Sequence, residues 1–210
     1  MKMKKIIALI LGAFALYSCV DDNYHDSGLA NGRYDGTVWE YMHSNHEWDS
    51  ALVVIERAGL VGIFDGSDPA YKDGITFFGF TNFTVWQFLA YTKQGGQRKY
   101  QCIADIPVEL CRQMVLDYVI PRKNMKASFG YEIRGTLTGG TEVETLSGKT
   151  LRVYRTQTPD PNTGEPDKGP EGMGIHAVNS GHVAAVASAD NEADNGVVHA
   201  LAYTFQWTEL

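Results

Sequence analysis

The sequence predicts one α+β domain, with N-terminal helices packed on a mainly antiparallel β-sandwich or wedge. Three observations carry that expectation. Helix caps followed by apolar residues at 3.6-residue spacing gather between residues 37 and 119. Period-2 apolar runs, punctuated by Gly and Asn turns, occupy the second half. Strand–helix–strand segments of crossover length are few, which argues against an all-parallel sheet. A chain of 210 residues has room for one such domain plus tethers.

The helices come first. Thr37-Val38-Trp39-Glu40 and Ser44-Asn45-His46-Glu47 each place a hydroxyl three residues ahead of a Glu. That is the spacing of a capping box, in which the two side chains satisfy each other's exposed backbone amides. The second box opens a helix that runs to Gly59, with Trp48, Leu52 and Ile55 on one face. A shorter helix over 84–92 follows a Thr81-Asn82 cap. A further helix over about 106–119 has Pro107 in its first turn, Val108, Cys111, Val115 and Tyr118 along one face, and Pro121 as its stop.

The strands follow. Ile75 to Phe80 is a short apolar run bounded by Gly74 and Thr81, the pattern of a buried strand. Segments 131–138, 142–147 and 149–155 are separated by turns at Gly139-Gly140 and Ser147-Gly148. Residues 174–188 read as a strand pair broken at Asn179-Ser180-Gly181. The last strand, 197–207, alternates, with Val197, His199, Leu201, Tyr203, Phe205 and Trp207 on one face. Between strands, residues 156–172 hold four of the seven prolines and read as a long exposed loop insertion.

The first 36 residues have a different character. Lys2, Lys4 and Lys5 precede the apolar run Ile6 to Tyr17 and then Ser18-Cys19. Twelve apolar residues are too few to span a bilayer, which takes about 20, and fit the core of a signal peptide over 1–18. A small residue directly before cysteine resembles a bacterial lipobox, which makes Cys19 the expected lipid-attachment site. Residues 19–36 then form a flexible tether. An outer-membrane lipoprotein is the expected localisation, displayed at the surface or facing the periplasm. Removing the leader lowers Lys plus Arg from 18 to 15 against 25 acids and leaves a net charge of −10. Nucleic acid as a partner is excluded on that ground, since it demands a basic footprint. Cys102 and Cys111 remain an even pair in an oxidising compartment, so they form a disulfide or, with Cys111 on an apolar helical stripe, stay as thiols.

Chemical motifs are scarce. The sequence holds no G-x-S-x-G nucleophile elbow, P-loop or G-x-G-x-x-G. His43 and His46 are split by the Ser44 cap and do not share a helix face as metal ligands would. His176 and His182 flank a turn, where a solvated pair is expected. Lys93, Arg98 and Lys99 surround Gly95-Gly96 in a solvated loop. No catalytic, metal or cofactor site is expected. His199 lies on the apolar face of the last strand and is expected as a hydrogen-bonded core residue. Asn195-Gly196 reads as a tight turn that tolerates positive φ.

Taken in order, several of these segments resemble the fasciclin-like domain over about residues 37–210. Ile75-Thr76-Phe77-Phe78-Gly79-Phe80-Thr81-Asn82 is similar to that family's strand and cap, with Phe80 where a proline is usual. Met114 to Pro121 matches its leucine-rich helix end, with Asp117-Tyr118 in place of Tyr-His, a position linked in the family to partner adhesion. Thr145-Leu146-Ser147-Gly148-Lys149 matches a hairpin, and Asp190 to His199 matches the closing Asn-Gly-Val-x-His motif. The resemblance implies structural roles for Thr81, Asn82, Asn195, Gly196 and His199. It implies a non-enzymatic binding or adhesion module that recognises a protein or glycan partner at the cell envelope. The alternative is an accessory structural subunit of an outer-membrane assembly, such as a glycan-uptake complex. In either case the 156–172 loop or the Lys93–Lys99 turn is expected to border the contact surface.

Overall fold

A computed structural model describes residues 32–207. The expected leader, the expected lipid-attachment residue Cys19 and the expected tether as far as residue 31 lie outside the described residues. The helices are α1 (Val38–His43), α2 (Asp49–Ala58), α3 (Val61–Phe64), α4 (Asn82–Tyr91) and α5 (Val108–Leu116). The strands are β1 (Ile75–Gly79), β2 (Lys93–Gln94), β3 (Gln97–Arg98), β4 (Val119–Pro121), β5 (Thr141–Glu144), β6 (Thr150–Gln157), β7 (Glu171–Ala177), β8 (Val183–Ala193) and β9 (Gly196–Leu201).

Seven strands form one sheet in the order β4-β1-β9-β8-β7-β6-β5, and β2 and β3 make a separate exposed hairpin. All neighbours in the large sheet are antiparallel except β1 and β9, which run parallel from Ile75↔Gly196 to Gly79↔Ala200. The fold is therefore α+β with a mainly antiparallel sheet, as predicted. The eleven residues of β8 serve both halves of that sheet. Its register slips between Val186 and Ser188 and again between Ser188 and Asn191. Such bulges bend a strand. With β8 bent, the far ends of the sheet meet, and the Leu146 N–H donates to the Val119 carbonyl at 2.8 Å. The sheet is thus nearly closed into a wedge.

The helices cover one side of this wedge for reasons visible in their sequences. Thr37 and Glu40 form the predicted capping box, the Thr37 hydroxyl accepting from Glu40 N while the Glu40 carboxylate accepts from Thr37 N. Trp48, Leu52 and Ile55 are all buried, and α2 ends at Gly59 with φ 67°, a left-handed cap open to glycine. Helices α2 and α5 lie together, each closing the other's end: Arg112 donates to the Ala58 carbonyl at 2.7 Å and Arg57 to the Ile106 carbonyl at 2.8 Å. Beneath them Phe64, Phe77 and Phe80 make successive edge-to-face contacts at 5.1 and 5.8 Å.

Several sequence expectations fail locally. Ser44 does not start a capping box, because it still carries the helical backbone of α1's C-terminus and its hydroxyl donates to the Tyr41 carbonyl at 2.7 Å. Asn45 caps the following 3-10 turn instead. Pro121 does not stop α5, which already ends at Leu116; it closes β4, an edge strand where a missing N–H is tolerated. Segment 131–138 is a loop that makes only isolated bridges at Tyr131 and Glu132, and Gly135 turns it with φ 76°. The last strand ends at Leu201, not Trp207, since the chain turns where Phe205 N donates to the Ala202 carbonyl. That turn sends Tyr203 out to solvent at 71% exposure while Phe205 stays buried.

The last residues expected in a tether belong to the folded part. Residues 32–36 dock along β8, with Tyr34 N donating to Glu192 O and Asp194 N to Gly36 O, each at 2.7 Å. The disulfide does not form: Cys102 is an exposed thiol and Cys111 a buried one, facing the core from α5. Burial pushes the Cys111 thiol pKa up, against the opposing pull of Arg57, so it stays protonated. The 156–172 segment is the tip of the β6–β7 hairpin: Gln157 pairs with Glu171, and beyond that pair Gly169 N donates to the Thr158 carbonyl.

Candidate binding site

Of the residues given structural roles by the family resemblance, Gly196 and His199 are buried, and Thr81, Asn82 and Asn195 are half-buried. His199 is fully buried and stacks on Phe78 at 5.4 Å. Asp190 N–H donates to its Nδ1 at 3.1 Å, and its Nε2–H donates to the Asn124 carbonyl at 2.9 Å. Those two bonds suit the neutral ring. Burial lowers its pKa below the usual histidine value, with the Asn124 carbonyl and Asp190 opposing.

The expected turn is present, with Asp194 and Asn195 linking β8 to β9, but neither Asn195 nor Gly196 has positive φ. The Asn195 carboxamide accepts from Val38 N at 2.7 Å and donates to the Phe64 carbonyl at 2.8 Å, pinning α1 and α3 to the β8–β9 turn. A Cβ on Gly196 would stand 2.7 Å from Val38 Cγ2 and 2.8 Å from the Ile75 carbonyl oxygen, so this glycine is required by close approach. Thr81 occupies the N-cap of α4 without a side-chain capping bond. Asn82 caps another helix: it accepts from Ser50 N in the first turn of α2 at 2.6 Å and donates to the His46 carbonyl at 2.6 Å.

The outer face of the molecule carries a different group. Phe83, Trp86 and Tyr91 on α4 are exposed, and Tyr203 joins them from the turn after β9. Phe83 and Trp86 stack at 5.4 Å with their planes 18° apart. Tyr203 meets Phe83 at 6.3 Å and Tyr91 meets Trp86 at 6.1 Å, both steeply tilted. Four adjoining aromatic rings open to solvent exceed the scattered single apolar residues that any surface shows.

Beside them lies a pocket of about 150 Å³ lined by Gln87, Phe88, Tyr91, Thr92, Gln206 and Trp207. Its walls carry no charged residue. Two of its lining residues hold buried polar atoms, Gln87 Oε1 and Trp207 Nε1, that find no hydrogen-bond partner among the described residues. Tyr91 belongs to both the pocket and the aromatic face, so the two are continuous.

A second concavity of about 360 Å³ lies under the β6–β7 tip, between Tyr131, Arg134, Arg155 and Asp167. Most of its charges are matched. Arg134 pairs with Asp167 at 2.6 Å, and Arg155 lies over the Tyr131 ring at 4.0 Å. Beside it the Tyr131 hydroxyl donates to Glu171, which also pairs with Lys126. The tyrosine hydroxyl, followed by Lys126 and Arg155, holds the Glu171 carboxyl below the usual carboxylate range. Most charges of this surface, which the predicted loop borders, are paired with one another.

The remaining candidates are dispersed. His43 packs edge-on against Trp39, whereas His46 faces Asp49 at 3.2 Å. His176 does not face His182: it is buried opposite Val183, beside Arg152 at 3.4 Å. Among the described residues no cluster of His, Cys, Asp and Glu is arranged to hold a metal ion.

Sequence reasoning missed the aromatic face, although a signal existed. Residues 82–91, NFTVWQFLAY, are apolar nearly all round the helix. A helix laid on a surface can cover only one such side.

No family model matches the chain, and no curated protein matches it. Among solved structures it is similar to a FAS1 domain pair from the insect cell adhesion molecule fasciclin I, at 13% identity and a TM-score of 0.43. That match covers 78% of this chain and 43% of the other, so the chain spans less than half the length of the pair.

Proposed function

We propose that the chain is an envelope-anchored binding module of fasciclin-like type that recognises a partner through the aromatic face of α4. The observation that carries this reading is the contiguous exposure of Phe83, Trp86, Tyr91 and Tyr203. Large rigid rings give contact area with little loss of side-chain entropy, and aromatic residues are enriched where proteins meet their ligands. The partner is a protein or glycan of the envelope. Cys19 holds the module to the membrane through lipid, because the Lys-rich apolar leader ends at Ser18-Cys19. The segment up to residue 31 gives it reach and raises the effective concentration of what it binds.

The test is retention of cell-envelope fragments on surfaces coated with the full chain. The wild type retains them, and Trp86→Ala combined with Tyr203→Ala releases them. Equal retention by both proteins, with unchanged circular dichroism, would remove the aromatic face from function. The anchor is tested separately. Cys19→Ala moves the protein out of the membrane fraction, and unchanged fractionation refutes lipidation.

A further inference from the structure

The aromatic face and the adjoining neutral pocket have complementary chemistry. The rings of Phe83 and Trp86 offer a broad apolar surface at 5.4 Å spacing, and Tyr91 and Tyr203 border it with phenol groups. Ring faces carry partial negative charge and attract polarised C–H groups. Two residues that line the pocket carry a buried acceptor and a buried donor, Gln87 Oε1 and Trp207 Nε1, with no hydrogen-bond partner among the described residues. Gln87 is 8% exposed, and a buried polar atom left unpaired costs about 1–3 kcal/mol. Such atoms are informative because most buried polar groups in folded proteins are satisfied. Asn195 and His199 obey the rule, whereas Trp48 Nε1 and Arg152 Nη2 are also buried without a partner among the described residues, away from the open rings of α4.

Resting on the binding-module reading, we propose that α4 and the 203–207 segment form a binding site for a neutral saccharide. A pyranose presents a C–H face that lies on aromatic rings and hydroxyls that both donate and accept. One hydroxyl in the pocket serves Gln87 Oε1 as donor and the Trp207 indole N–H as acceptor. Among the described residues the pocket lining of Gln87, Phe88, Tyr91, Thr92, Gln206 and Trp207 has no ion to pair with a charged ligand, which favours a neutral one. Its volume of about 150 Å³ is well below the ~300–1,000 Å³ of sites that enclose a drug-sized ligand. One sugar unit is therefore anchored there while neighbouring units lie on the open rings, so oligosaccharides bind more tightly than monosaccharides.

The experiment titrates the full chain with maltohexaose, cellohexaose, mannohexaose and xylohexaose, following tryptophan fluorescence and calorimetric heat. At least one of them saturates the signal. Its affinity falls at least tenfold in Trp86→Ala and in Tyr203→Ala, two exposed positions whose variants keep the wild-type melting curve. Gln87→Leu fills the same space without the acceptor and weakens binding by a similar factor. Absence of binding by all four hexasaccharides overturns the inference, as does binding that the exposed variants leave intact. The envelope-retention assay separates the two readings. Retention that depends on Trp86 yet resists competition by every hexasaccharide means a protein partner, which refutes the saccharide site and keeps the module. Absence of both activities in the wild-type chain refutes both readings.

Discussion

The β8–β9 turn and the outer face of α4 treat polar and aromatic groups in opposite ways. Around the turn every functional atom that matters is matched: Asn195 bonds at both ends of its amide, and His199 uses both ring nitrogens. Aromatic groups there are internal, with His199 between Phe78 and Phe129. On α4 the rings face solvent, and two buried polar atoms nearby are unmatched. Completeness marks a structural region, because each satisfied bond needs nothing from outside. Unmatched atoms also occur in the interior, at Trp48 Nε1, and among the described residues only those by α4 adjoin exposed rings where another molecule can contribute.

The largest effect expected from breaking this contrast is at His199. His199→Ala removes a stacked ring and two buried hydrogen bonds, and destabilises the domain by about 3 kcal/mol. A urea midpoint equal to wild type would show that the imidazole is not structural. Asn195→Ala unpins two helices and costs about 2 kcal/mol. Asn195→Asp keeps the acceptor for Val38 N and loses only the donor to Phe64, so it is the milder of the two. The reverse order would mean that the Phe64 contact dominates.

Acid sharpens the contrast further. The folded pKa of His199 lies below its unfolded value, chiefly through burial. The unfolded chain therefore binds more protons than the folded one as pH drops through about 6.5. Stability is full above that pH and falls below it, and His176, lowered first by burial and then by Arg152, acts in the same direction. Melting curves between pH 8 and 5 check the sign. A melting temperature that holds level or rises over that range would mean that neither ring is kept neutral by the fold. The smallest stability effects belong to Trp86→Ala and Tyr203→Ala, within about 0.5 kcal/mol because both side chains are largely in water. A larger loss would show that the aromatic face supports the core.

Much of the architecture was legible where the determinants are local. The Thr37–Glu40 box, the apolar stripe Trp48-Leu52-Ile55 ending at Gly59, and the turn between β7 and β8 depend on residues within a few positions of each other. Periodicity and caps report such short-range physics directly. Legibility failed where a partner came from far along the chain. The period-2 pattern through Trp207 is real, yet the strand ends at Leu201, and the pattern cannot show that Tyr203 turns outward.

The sequence by itself determined the α+β class, the interior place of His199 and most of the helices and longer strands, since burial patterns and caps are written in neighbouring residues. Only the tertiary structure decided that Asn82 caps α2, that Asn195 joins α1 to α3, and that Cys102 and Cys111 stay apart. It also decided that Phe83, Trp86, Tyr91 and Tyr203 share one exposed face. Each of those outcomes joins groups through space across a closing sheet and packed helices, and sequence spacing holds no record of which distant backbone amide or ring will arrive there.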